Sequence, residues 1–164
     1  MESSLQTVSH LYRATDNMVE ELLTHLNDEA LCHTVDGNGN SALRLYAHLC
    51  VLRHRILNSI TGSCDPIPFE GSAGGFPTEG DKLPRRGEVD VAYRAVTKKL
   101  YDCFEKLTAK QLAGKGPGQD DFLTEDKSLL GALTFLGYHE GYTVGQMGFL
   151  GHIKGKLPFV GHLG

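Results

Sequence analysis

A chain of 164 residues, 40% of them hydrophobic, is long enough for one buried core and too short for two, so a single domain over 1–164 is expected. The formal net charge of -4, with acids and bases interspersed, gives no single-sign stripe; this argues against nucleic acid or an anionic membrane surface as partner and leaves a small polar ligand open. Cys32, Cys50, Cys64 and Cys103 form no CxxC pair, and the start Met1-Glu2-Ser3-Ser4 has neither a basic nor an apolar run. The most apolar stretch, Leu129 to Leu150, holds His139, Glu140 and Gln146, which are costly in lipid, so the expectation is a reduced, cytoplasmic chain with no transmembrane helix.

In chain order, Leu5, Val8, Leu11, Tyr12, Met18, Val19, Leu22, Leu23 and Leu26 recur at spacings of three and four, and Ser3 with Gln6 can form a capping box ahead of them. A first helix over about 4–26 is expected. The turn-rich Asp36-Gly37-Asn38-Gly39-Asn40-Ser41 offers an Asn or Ser cap to a second helix, with Leu45, His48, Leu52 and Ile56 on its inward line. The segment from Thr61 to Gly87, rich in proline and glycine, shows no periodicity. A third helix starts with Glu88 and Asp90 at the positive end of its dipole and repeats Val89, Ala92, Tyr93, Val96, Leu100, Cys103, Phe104 and Leu107, where it should end. Thr124 can cap the last helix, with Glu125 and Asp126 in its first turn and its end near His152 or Lys154. With no strand-like alternation, the fold class expected is an all-α four-helix bundle, and the long Thr61–Gly87 segment suits a crossover connection.

The last helix opposes its own propensity. Gly131, Gly137, Gly141, Gly145, Gly148 and Gly151 each cost about 1 kcal/mol relative to alanine inside a helix, so tertiary packing must hold it. Gly137, Gly141 and Gly145 step by four along one stripe, open equally to close packing within the bundle or to a subunit interface. On the neighbouring stripe His139 and Thr143 stand one turn apart, near Gln146, and would share one inward spot with His48. An inward histidine taken alone is more often a hydrogen-bonded core residue than a ligand. His54, six residues after His48, should point elsewhere, and His10, His25, His33, His152 and His162 read as surface residues.

Two blocks resemble one family. Gly39 to Leu49, read as GNSALRLYAHL, followed by Arg53 and Ile56-Leu57, resembles the second-helix motif of the DinB/YfiT-like superfamily. Leu133 to Leu150, with His139-Glu140-Gly141-Tyr142-Thr143-Val144-Gly145-Gln146 at its centre and Gly155-Lys156-Leu157 after it, is similar to the terminal pattern of that family: histidine, three residues, histidine, any residue, Gly-Gln. The resemblance implies a four-helix bundle, often homodimeric, in which three histidines hold a divalent metal such as zinc or nickel at an open site. Carried over, the first ligand falls on His48 and the second on His139, while the third falls on Thr143.

Three neutral imidazoles leave zinc a position for water or a substrate thiol; two imidazoles and a hydroxyl hold a divalent ion much more weakly. Either water or a carboxylate such as Glu140, about 100° round the helix from His139, fills the vacancy, or the metal is gone. Two functions follow from the resemblance: a metal-dependent transferase or hydrolase activating a thiol or water against a small electrophile, or a metal-free, small-ligand-binding or stress-associated dimeric bundle with a pocket walled by His48, His139, Thr143, Gln146 and Glu140. Other motifs can be set aside. His-Glu-x-x-Thr lacks the second histidine of a zincin, and Gly71-Ser72-Ala73-Gly74-Gly75 and Gly114-Lys115-Gly116-Pro117-Gly118 lack the context of phosphate-binding loops and read as solvated. No cysteine has the basic helix-start setting of a nucleophile, and Cys50 and Cys103 read as small hydrophobes on helix faces.

Overall fold

A computed structural model describes residues 2–35, 39–74, 82–116 and 125–155. In chain order these form α1 (Glu2–His25), α2 (Asp28–Cys32), α3 (Ala42–Thr61), α4 (Glu70–Ala73), α5 (Arg86–Phe104), α6 (Ala109–Leu112) and α7 (Leu129–Ile153), with no strand among the described residues. The four long helices make the expected all-α bundle: α1 packs on α7, α7 on α3 and α3 on α5, while α1 and α5 touch only lightly. The three short helices were not anticipated. No helix among the described residues is long and apolar enough to cross a membrane.

The helix boundaries follow local chemistry. The backbone of Ser3 is already helical, so it does not cap α1, whose inward face carries Val8, Tyr12, Val19 and Leu22 and leaves Met18 exposed, contrary to its expected place on the core face. Ser41 caps α3 as expected, its hydroxyl accepting from the Arg44 N–H at 3.2 Å. Gly62 ends that helix with φ of 76°, and its N–H bonds back to Asn58 at 2.7 Å. α5 opens as its acids suggested, with Glu88 accepting from the Arg85 N–H at 2.7 Å. It stops at Phe104 and not Leu107, because Lys106 and Leu107 turn back onto the carbonyls of Cys103 and Phe104 and Thr108 then caps α6.

The start of α7 differs most from expectation. Thr124 lies outside the described residues, and Glu125 and Asp126 precede the helix instead of forming its first turn. Ser128 is the cap, accepting from the Gly131 N–H at 3.0 Å, while Asp126 accepts from the Ser128 N–H at 2.9 Å. A short bridge fixes this corner: the Leu129 N–H donates to the Gly114 carbonyl and the Gly116 N–H to that of Lys127.

This corner also requires one of the glycines. A Cβ at Gly131 would lie 2.3 Å from the Asp126 carbonyl oxygen, and one at Gly137 would press on Leu11 at 2.7 Å, whereas none of the described residues comes within 4 Å of a Cβ at Gly141 or Gly145. The stripe therefore divides into an inner part packed against the chain itself and an outer, open part. Gly131→Ala is expected to destabilise by about 1–3 kcal/mol, as overpacking does. Gly145→Ala should instead raise stability by up to about 1 kcal/mol through helix propensity. Urea denaturation at low protein concentration reads both; a loss at Gly145 would mean that another backbone approaches there.

α3 is buried nearly all round, since α5, α7, α2 and α4 each cover part of it. This corrects the inward line expected from its sequence. His48 and Leu52 are only half-buried, while Arg53 and His54, outside that line, are fully inside.

Candidate functional site

The two histidines meet. His48 from α3 and His139 from α7 pack edge to face with ring centroids 5.7 Å apart, and the Phe135 and Tyr142 rings flank His139 at 6.5 and 6.3 Å. His48 Nδ1 is 2.9 Å from the Ala73 carbonyl oxygen. A carbonyl can only accept, so Nδ1 carries the proton and Nε2 keeps its lone pair. Burial pushes the His48 pKa below the ordinary histidine value, the bond to Ala73 works against this, and His139, Arg55 and Arg44 add to it; the imidazole is neutral at pH 7.

The partner of His48 sits where the sequence suggested a solvated glycine loop. Residues 70–73 instead form α4, with Ala73 fully buried against α3. Side chains of α3 fasten this segment. Arg55 donates to the Glu70 carboxylate at 3.0 Å and to the Gly74 carbonyl at 3.3 Å, and His54 Nε2 donates to the Asp65 carbonyl at 2.9 Å. Buried His54 thus points away from His48 as expected, but it anchors the start of the crossover. Its Nδ1 has no hydrogen-bond partner among the described residues and faces Glu70 at 3.8 Å.

Thr143 and Glu140 do not complete a ligand set. The Thr143 hydroxyl donates to the His139 carbonyl one turn back at 2.9 Å, and the residue is buried. Glu140, read from the sequence as a pocket residue that could fill the vacancy, is turned away and only 1% exposed. The cause is an Arg53 guanidinium on the other side, which donates to Glu140 through Nε at 2.8 Å and Nη2 at 2.6 Å. Gln146 is half-buried. Among the described residues no cluster of three or more His, Cys, Asp or Glu side chains could hold a metal ion, so the available donors are two imidazoles, a set that does not fit a three-ligand centre. His10, His25 and His152 are exposed and His33 half-buried, while His162, Lys156 and Leu157 lie outside the described residues.

The group that sequence reasoning missed is the network around Arg53. Its Nη1 donates to Asp16 and to Thr97, and Nη2 also reaches the Thr15 hydroxyl at 3.3 Å, so all five guanidinium protons have acceptors. Asp16 in turn accepts from the hydroxyls of Tyr93 and Tyr101, and the guanidinium lies 4.7 Å from the Tyr93 ring centroid. Burial raises the Tyr93 and Tyr101 pKa values above the ordinary tyrosine range, which keeps both phenols as donors. One arginine therefore ties α1, α3, α5 and α7 together. Asp16, Tyr93 and Tyr101 also wall a cavity of about 630 Å³ between α1 and α5, and neither His48 nor His139 lines it.

The geometry defines an all-α bundle with two facing histidines on its third and seventh helices. The family model of the DinB superfamily matches residues 11–147, and the chain belongs to that superfamily. No curated protein matches the sequence.

Proposed function

We propose that this member of the DinB superfamily is a small-ligand-binding bundle in which His48 and His139 work without a tightly held divalent metal. The observation that carries the reading is the bond from the Thr143 hydroxyl to the His139 carbonyl, which turns the third position toward the helix backbone. The pair offers a small polar molecule one oriented acceptor, Nε2 of His48, and, around His139, the aromatic surfaces of Phe135 and Tyr142. Protein purified without an affinity tag is expected to carry less than about a tenth of an equivalent of zinc, nickel or manganese by elemental analysis; close to one equivalent would overturn the reading.

A second reading, a metal-dependent transferase or hydrolase acting on a small electrophile, draws on one observation. The Ala73 carbonyl fixes the ring of His48 in the way that backbone carbonyls commonly fix metal-bound imidazoles. A bound metal would supply Lewis acidity to a thiol or water, and it would need a third ligand from outside the histidine pair. A homodimer in the cytoplasm accompanies either reading. What supports the dimer is the outer face of α7, where Tyr138, Tyr142, Phe149 and Ile153 are exposed beside the open Gly141 and Gly145.

A further inference from the structure

Between the start of the crossover and the end of α5 lies a cavity of about 340 Å³ whose wall holds two of the four thiols, Cys64 and Cys103. Cys103 is the penultimate residue of α5. Cys64 follows the left-handed Gly62 by two positions, in a stretch that is neither helix nor strand. Both are free thiols, half-buried, and packed against the same apolar cluster that contains Leu57 and Phe104. Burial raises the Cys103 pKa, Lys106 opposes the rise and the charge of Cys64 adds to it. Lys99, Lys106, Asp65 and Asp102 line the same cavity, and Lys99 pairs with Asp65 at 3.4 Å. The remaining thiols differ. Cys50 is fully buried with its pKa pushed up to about 12, and exposed Cys32 lies on α2, away from this wall.

We propose that Cys64 and Cys103 are a redox-modifiable pair that closes to a disulfide when the protein meets a peroxide. One thiolate attacks the peroxide, breaking the O–O bond and forming a sulfenic acid with release of water. The second thiol attacks that sulfur; the S–S bond forms, the S–O bond breaks, and the hydroxide leaves as a second water. The two sulfurs are oxidised, the peroxide is reduced, and two thiols with one hydrogen peroxide give one disulfide and two waters. Disulfide geometry confines the Cα atoms to about 4.4–6.8 Å, and Cys64 lies in a stretch free of helix and strand hydrogen bonding while Cys103 is held in α5. The bond would pin a segment that already touches the histidine site, since Asp65 next to Cys64 accepts from His54 and Ala73 further along holds His48.

The test uses the whole chain, treated with a few equivalents of hydrogen peroxide and then analysed by intact mass and a non-reducing peptide map. The expected result is a loss of two hydrogens, about 2 Da, reversed by dithiothreitol, with one linked peptide pair joining Cys64 and Cys103. Cys64→Ser and Cys103→Ser should each abolish the loss and Cys32→Ser should not, while the oxidised wild type should unfold at a higher temperature than the reduced form. Oxygen added separately to each cysteine without loss of hydrogens, or a linked pair that includes Cys32, would overturn the proposal. Both of these outcomes are read on the wild-type chain and count even if a serine variant fails to fold.

Discussion

Arg53→Met is expected to destabilise the protein by about 3–5 kcal/mol, the usual consequence of removing one partner from a buried ion pair. The side chain has no solvent exposure, and its loss strands Glu140, 1% exposed, with only the Thr15 hydroxyl to accept from among the described residues. Asp16 fares better, because it keeps Tyr93 and Tyr101 and is 18% exposed. The expected order of cost is therefore Arg53→Met, then Glu140→Gln, then Asp16→Asn. Arg53→Met combined with Glu140→Leu should recover a substantial part of the loss, since an apolar pair of similar volume often matches a buried ion pair. A double-mutant cycle from urea denaturation measures this. Additive costs would show that Arg53 and Glu140 do not act as a pair.

The second large effect concerns position 143. Thr143→His is expected to tighten zinc or nickel binding on the order of 100-fold or more, because it adds a third imidazole one helical turn from His139 to the oriented Nε2 of His48. The variant gives up the hydroxyl bond to the His139 carbonyl and places a larger ring at a buried position, so a modest loss of apo stability is expected with it. Metal should then raise the unfolding temperature of the variant, and His48→Ala in the same background should remove that rise. A variant that folds, by circular dichroism, yet shows no thermal response to zinc would mean that positions 48, 139 and 143 do not converge.

What the sequence made legible follows from how each helix is surrounded. α1 and α5 present one face inward, so three-and-four spacing located both, and Ser41 marked the start of α3. α3 is enclosed on nearly every side, and a helix buried all round carries no stripe whose phase could separate His48 from Arg53 and His54. A charged side chain among buried neighbours was the available signal: Arg53 stands in the second-helix family motif, where its type alone assigns it no role. Glu140 was misplaced for the complementary reason. Its position on the helix is clear from spacing, but the direction of its carboxylate depends on a guanidinium 87 residues away in sequence. Of the short helices, α6 did carry a legible signature, Thr108 with Gln111 three residues on, whereas α4 has no side-chain cap and exists through its contacts with α3. The pairing of His48 with His139 was legible, because it needs only a histidine on each of two facing helices at matching depth; the Ala73 carbonyl that orients His48 was not.

The most direct measurement is calorimetric titration of the untagged wild-type chain with zinc, run beside its His48→Ala variant. Two imidazoles and a hydroxyl bonded to its own helix predict no site tighter than about 10 μM and little difference between the two proteins. One equivalent bound with a Kd of about 10 nM or below, lost on removal of His48, would contradict the metal-free reading and establish this bundle as a metal-binding protein despite Thr143.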